Sequence, residues 1–367
     1  MVWFLCLSLL LFIIQWETIN DPNDALVADR ESFAEAISNG NDFETLKNNQ
    51  DIVEQSDNDD DCVLNHFQEF LNDIAASKST PPLPTGFKRF DNVLGGGIRP
   101  YLYTIGAIPS LGKTTFILQI LDHLAALGND IYIFSLEMAR SELMAKSISR
   151  YTGEYLLTNG QTVQTTKSEL DISDGWRYND YSKEEQELIQ CCMERYREIA
   201  PHIYIHEGED NLTTDEIAEK VKKHIMNKGK KPVVAIDYLQ LLGAPKGGER
   251  LDDKQIVDKN VMALKRIARD YKVPIIVISS FSRAKYNEKV SLSSFKESGK
   301  IEYTADVAIG LQLKGVGQPG FDADAAKVKD ERDVQAVVVK NRKGEMGSVI
   351  DFSYYPKCNL FEEKKNG

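Results

Sequence analysis

One stretch constrains this chain more than any other: Ala107-Ile-Pro109-Ser110-Leu-Gly112-Lys113-Thr114-Thr115. A short apolar run, Leu102 to Gly106, precedes it, and amphipathic spacing from Phe116 to Leu127 follows, closed by Gly128. Period-two and period-3.6 signals on either side of a Gly-Lys-Thr turn read as strand, phosphate-binding loop and helix, with Ala107 where the stricter motif has glycine. The chemistry requires these residue types. Gly112 lets backbone N–H groups approach phosphate oxygens, and the following helix adds positive potential at its first turn. Lys113 has the reach for β and γ phosphates, and the Thr114 hydroxyl is an Mg²⁺ ligand. Pro109, Ser110 and Thr115 complete the loop. Such a unit buries its strand in a parallel sheet, so the expected fold is α/β with helices on both faces.

The rest of the chain from residue 85 repeats the pattern. Val233 to Ile236 is a buried-type strand ending in Asp237, where an acid can orient hydrated Mg²⁺. Ile131 to Ser135 is another, and Glu137 lies two residues beyond it. A carboxylate there either polarises a water that attacks the γ-phosphate or caps the helix expected around Arg140 to Tyr151. Val273 to Ser279 forms a further strand after a helix over Asp252 to Tyr271. The polar loop from Ser280 to Ile301, with Arg283, Lys285, Lys289, Lys296 and Lys300, is too long for a plain connector. It is either a grip for a phosphate backbone or a solvated loop. Val334 to Lys340 and Ser348 to Phe352 read as a hairpin, with Lys340 and Arg342 on one side by the strand period. From Glu154 to Pro201 only a helix over Ser182 to Ile199 is legible, with no chemistry.

A net charge of −12 seems to exclude a nucleic-acid partner. Its distribution removes that objection. Of the 56 acidic residues 16 lie before Thr85, against 3 of the 44 basic ones, which leaves 40 acids against 41 bases in the remainder. The surplus belongs to the first quarter. That quarter contains an apolar run from Met1 to Ile14, a short helix pattern over Asp21 to Ser38, an Asp/Asn-rich linker ending at Asp61, and an amphipathic helix over Val63 to Ala76. The apolar run is short for a membrane span and lacks a basic leader or cleavage site, so neither a signal nor an anchor is expected. It reads instead as a strand or helix of a domain cut short, or as a mis-set start. Cys6, Cys62, Cys191, Cys192 and Cys358 form no paired spacing, which points to a reducing, cytoplasmic setting without disulfides or zinc.

Taken in order, these parts resemble the motor domain of DnaB-type replicative helicases, the RecA-like ring helicases of superfamily four, over about Thr85 to Phe361. The strings are Thr85-Gly86-Phe87 with Leu94-Gly-Gly-Gly97, the phosphate loop with its Ala107, Phe134-Ser-Leu-Glu137-Met138, Ile236-Asp-Tyr-Leu-Gln240, and Glu297-Ser-Gly-Lys-Ile-Glu302 with Ala305-Asp306. The resemblance implies a RecA-like phosphate-loop NTPase fold, ATP and Mg²⁺ as cofactors, and single-stranded DNA as partner. It also implies a hexameric ring, with a primase or loader as a further partner. It implies Glu137 as catalytic base, Asp237 as the Mg²⁺-orienting acid, and Lys340 with Arg342 as the pair contacting a neighbour's γ-phosphate. Arg283, Lys296, Glu297 and Gly299 fall in the DNA-contacting loop. The family carries Gln as γ-phosphate sensor where this chain has Ser280, and Asn where it has Ser282, so coupling between hydrolysis and loop movement is the weak point of the match. Asp21-Pro-Asn-Asp-Ala25-Leu26 with Asp29-Arg30 resembles the tail of a toprim primase domain of the kind fused to helicases in phages and mobile elements. The expected organisation is therefore a toprim-like remnant over 1–38, a linker with its helix over 39–84, and the motor over 85–362. The expected activity is an ATP-dependent DNA helicase acting in replication. The alternatives are a RecA-like DNA-dependent ATPase without unwinding and an inactive remnant of a primase–helicase.

Overall fold

The computed structural model describes residues 63–78, 80–208, 212–245, 251–295 and 298–365. The apolar run, the toprim-like stretch and the acidic linker lie outside them. Two compact units divide between Pro81 and Pro82. In the first, helix α1 (Val63–Lys78) is described; Phe67 and Phe70 on its apolar stripe have ring centroids 6.1 Å apart and are exposed.

The second unit is built on one nine-stranded sheet in the order β3-β2-β4-β5-β1-β6-β7-β8-β9. Six strands run parallel: β1 (Leu102–Ala107), β2 (Ile131–Ser135), β3 (Ile203–Glu207), β4 (Val233–Asp237), β5 (Ile275–Ser280) and β6 (Val307–Leu313). An antiparallel meander of β7 (Arg332–Asn341), β8 (Val349–Tyr355) and β9 (Leu360–Glu363) extends the far edge. β1 and β4 are buried at every position, because helices cover both faces of a parallel sheet. The long helices are α2 (Lys113–Ala126), α3 (Arg140–Thr158), α4 (Lys183–Ile199), α5 (Thr214–Lys228) and α6 (Asp253–Asp270), with α7 (Ser298–Thr304) a shorter one ahead of β6. Ser182, Thr213 and Asp252 cap α4, α5 and α6 through their side-chain oxygens, as such residues do before an apolar period begins.

Several boundaries differ from the sequence reading by a few residues, α3 most, since it runs on to Thr158, and two of the differences have a local cause. β5 starts at Ile275, since Pro274 has no N–H for a ladder and the Val273 N–H is taken by the Ala268 carbonyl at the end of α6 (3.1 Å). α2 begins at Lys113 itself, so no residue separates the loop from its helix.

Phe116 locks α2 in place. Its ring meets Phe87 (5.4 Å, stacked) and, edge to face, Phe90, Phe352 and Phe361 at 5.6, 5.4 and 5.2 Å. Each such pair contributes about 0.5–1.5 kcal/mol beyond its buried area. The Thr85-Gly86-Phe87 string thus has a packing reason: Thr85 donates N–H and hydroxyl to Asp91 (2.8 and 2.6 Å), which turns Phe87 onto the start of the loop helix. At Gly106 any side chain would meet the rings of Phe281 and Phe295 at 2.4 and 2.5 Å, so the strand that feeds the phosphate loop needs glycine there.

Candidate nucleotide site

The carboxyl ends of β1, β2, β4 and β5 open on one cleft of about 700 Å³. Pro109, Ser110, Gly112, Lys113, Thr114, Thr115, Glu137, Asp237 and Ser280 all line it. Ligands bind at this end of open parallel sheets because the loops and helix N-termini converge there.

Ser110 and Gly112 have φ of +61° and +82°, left-handed backbone of the kind from which anion-binding amide nests are built. A Cβ at Gly112 would lie 2.8 Å from the Tyr354 ring and 2.9 Å from that of Phe361. Lys113 folds back over the loop and donates to the carbonyls of Ala107 (3.2 Å) and Ile108 (3.3 Å). Among the described residues no carboxylate makes a hydrogen bond to its ammonium, and burial lowers its pKa. The Thr114 hydroxyl donates to Asp237 Oδ2 at 2.7 Å. Asp237 is 5% exposed, and burial pushes its carboxyl up to about 6 against the hydrogen bond from Thr114. A hydroxyl and a carboxylate this close, with lysine behind them, are hard oxygen donors of the kind Mg²⁺ takes together with phosphate oxygens. An amide loop of that kind beside them fits a polyphosphate. Among the described residues no group of three or more His, Cys, Asp or Glu could hold a metal alone.

Glu137 is exposed on the rim. It does not cap α3: the Ala139 N–H donates to Glu142 Oε2 at 2.7 Å, so the capping carboxylate is Glu142. Ser280 reaches the cleft wall through a side chain much shorter than glutamine.

Lys340 and Arg342 lie elsewhere. Both side chains donate to carbonyls at the end of α7, Lys340 to Glu302 and Arg342 to Tyr303, and the Arg342 N–H donates to the Asp306 carbonyl at 3.0 Å. Burial and the neighbouring Arg342 charge lower the Lys340 pKa. Arg283 is exposed on a short 3-10 turn after β5, and Gly299 lies in α7; Lys296 and Glu297 lie outside the described residues.

The sequence reading missed Lys146, Glu169, Arg332, Tyr354, Lys357 and Asn359, which line the same cleft. Arg332 donates to the Ser110 carbonyl (2.9 Å), and its guanidinium lies 5.7 Å from the Tyr354 ring centre. Tyr354 in turn stacks on Phe361 at 4.3 Å. Arg332 and the buried Tyr354 thus brace the phosphate loop from the β7–β8 side.

The loop, the paired Thr114 and Asp237 and the parallel sheet define a RecA-like α/β fold with a candidate phosphate-loop site. Residues 82–363 match the DnaB-like helicase C-terminal domain, and the chain belongs to that family. It is similar to the replicative DNA helicase DnaB of Geobacillus stearothermophilus, 25% identical over 348 residues that cover 94% of this chain and 68% of that protein. It is also similar to that of Leifsonia xyli, 30% identical over 284 residues covering 75% and 55%. Against relatives such as the latter, the chain spans little more than half of the full length. Among solved structures, the ATPase domain of G40P overlays with a TM-score of 0.67 at 21% identity, covering 84% of this chain and all of that one. A DnaB-like replicative helicase studied with primase overlays at 0.64 and 22%, covering 91% and 72%. These overlays concern the fold. Among the described residues no helix is long and apolar enough to cross a membrane.

Proposed function

We propose that this chain is the motor of a replicative DNA helicase that hydrolyses Mg·ATP in the cleft and moves along single-stranded DNA as a hexameric ring. The hydrogen bond between Thr114 and Asp237, with Lys113 beside it and Glu137 on the rim, carries this reading. It joins a metal-ligand pair, a phosphate cation and an uncommitted carboxylate in one cleft of a family whose members are named as helicases.

In this reading the loop N–H groups and Lys113 hold the β and γ phosphates, and neutralise charge as the γ-phosphoryl leaves. Mg²⁺, held by Thr114, Asp237 and phosphate oxygens, supplies Lewis-acid stabilisation when bound. Glu137, exposed and free of the helix cap, takes a proton from the attacking water. Lys340 and Arg342 stand apart from their own chain's cleft, which suits a pair that reaches the γ-phosphate of a neighbouring protomer. Their resting contacts with the end of α7 join that role to the segment after Lys296 and Glu297, which with Arg283 would meet single-stranded DNA. Ser280 lines the wall where a longer sensor side chain would stand, so phosphate release is proposed to be sensed less directly here. A primase or loader remains a proposed partner, and a cytoplasmic setting a proposed location.

The test is strand displacement on a forked duplex. Unwinding that requires hydrolysable ATP, and that Glu137→Gln abolishes while nucleotide binding survives, supports the reading. DNA-stimulated hydrolysis without any displacement would favour a RecA-like ATPase that does not unwind.

A further inference from the structure

Three acidic and four basic side chains line the cleft: Glu137, Glu169 and Asp237 against Lys113, Lys146, Arg332 and Lys357. The proposed hydrolysis uses Glu137, Asp237 and Lys113. Lys146 and Glu169 have no part in it, yet they are paired with each other inside the cleft.

Lys146 projects from α3, nine residues after Glu137. Its side chain is 15% exposed, and its Nζ lies 2.7 Å from Glu169 Oε2. Nζ also donates to Asn359 Oδ1 at 3.3 Å, and the same oxygen accepts from the hydroxyl of Thr115, in the phosphate loop, at 3.3 Å. Lys146 is thus two hydrogen bonds from the loop, and its charge is felt by Asp237 across the cleft, where it lowers the proton affinity. Glu169 differs in two respects. Its side chain is 45% exposed, and it comes from the stretch between α3 and α4. Other residues hold that stretch. Ser149 donates to the Lys167 carbonyl at 2.7 Å, Lys167 Nζ pairs with Glu185 at 2.5 Å, and Lys357 donates to the Gln164 carbonyl. The carboxylate is therefore presented at the lip of the cleft without having to hold its own backbone there.

A mostly buried ammonium needs an anion, whereas a half-exposed carboxylate released to water loses little. A polyphosphate brings more charge than one carboxylate and offers Lys146 several acceptor oxygens for charge-assisted hydrogen bonds. We propose that Lys146 is a second phosphate-contacting lysine of this site and that Glu169 is its resting counter-ion, displaced when nucleotide binds. The proposal rests on the nucleotide-binding reading above and extends it. Glu169 competes with the nucleotide for Lys146 and so sets the affinity of the site, and the stretch from Gln164 to Ser173 meets a different electrostatic partner in the bound state.

Anisotropy titration of the full chain with fluorescent ATP and ADP analogues tests this, alongside melting curves for every variant. Lys146→Ala weakens binding of both by about tenfold, the worth of one charge-assisted hydrogen bond, and Lys146→Arg restores most of it. Glu169→Gln tightens binding by about threefold or more. In the Lys146→Ala background Glu169→Gln has no effect, since the carboxylate acts through the lysine alone. Lys146→Ala affinity within twofold of the unmodified chain overturns the proposal. So does a Glu169→Gln chain that binds no tighter, or a Glu169→Gln effect that persists without the lysine. Lys113→Ala separates the two levels. If the unmodified chain binds nucleotide and Lys113→Ala does not, the site is established whatever Lys146 does; if the unmodified chain binds none, the nucleotide reading itself fails.

Discussion

Asp122 and Asp237 are both buried beside the phosphate-loop helix, at 1% and 5% exposure, and burial raises both carboxyls; they differ in the partner each one meets. Asp122, two turns along α2 from Thr115, faces the Arg150 guanidinium at 2.9 Å. Arg150 is itself held by Glu154 at 2.9 Å, and Glu154 by Arg195 at 2.7 Å. The surrounding carboxylates keep Arg150 charged well above its ordinary range. Among the described residues Asp237 accepts from the Thr114 hydroxyl and is paired with no cation, and its carboxyl rises to about 6. The first region is electrostatically closed, whereas the second has charge-binding capacity that its own chain leaves unused. Unused capacity of this kind is what a functional site shows, and a compensated pair is what a structural one shows.

Five changes would break or sharpen that contrast. Glu137→Gln acts only on the open region: hydrolysis should fall by about 10²–10⁴-fold in a steady-state phosphate-release assay, with melting unchanged because the side chain is exposed and caps nothing. Arg150→Ala acts only on the closed region. It leaves Asp122 buried without a partner and should cost about 3–5 kcal/mol in chemical denaturation. Pairing Arg150→Met with Asp122→Leu should recover most of that loss, as a compensated ion pair is replaceable by apolar volume.

Asp237→Asn should do the reverse of Arg150→Ala and stabilise the chain. An acid whose folded pKa is raised favours the protonated form, so its ionisation costs stability above the folded value. From about 6 against 3.8 the gain is at most about 3 kcal/mol. It should be full above pH 6, shrink as pH falls toward 3.8 and vanish below that, where both folded and unfolded carboxyls carry the proton. Denaturation of both chains at pH 7.5 and 4.5 checks the sign. The same variant should lose Mg²⁺-dependent tightening of nucleotide binding. The smallest effect expected is that of Asp130→Asn. The Asp130 carboxylate joins His202 Nδ1 at 2.8 Å and His224 Nε2 at 3.0 Å, away from the cleft, so replacement should cost about 1–2 kcal/mol and leave nucleotide affinity unchanged.

The open region was far more legible in the sequence than the closed one, and the reason is physical. A phosphate loop packs its chemistry into nine consecutive residues, and the acid of β4 and the carboxylate after β2 sit at fixed offsets from apolar runs. Asp122, Arg150 and Glu154 carry no such mark: on an isolated helix they read as surface charges, and only the packing of α2 against α3 and α4 buries them. Lys146, Glu169, Arg332 and Asn359 were missed for the same reason. They come from four separate elements, and Asn359 needs a left-handed turn (φ +53°) between Cys358 and β9 to reach the cleft. β3, β6 and β9 went unread as well. Ile203 and Ile205 alternate for only five residues, and the apolar run of β6 is interrupted by Gly310 and Gln312, where the carboxamide of Gln312 donates to Gln335 on β7 at 2.9 Å. The Lys340–Arg342 pair was legible as a strand-period signal, but its docking on α7 depends on a contact across about forty residues.

The central claim is that the cleft binds Mg·ATP and hydrolyses it in response to single-stranded DNA. The most direct measurement is the rate of phosphate release from Mg·ATP by the purified chain, with and without single-stranded DNA, beside Glu137→Gln. A slow basal rate that DNA raises severalfold, lost in the variant while a fluorescent ATP analogue still binds, is the result expected. Nucleotide binding with no hydrolysis under any DNA condition, or hydrolysis that survives Glu137→Gln, would contradict the account.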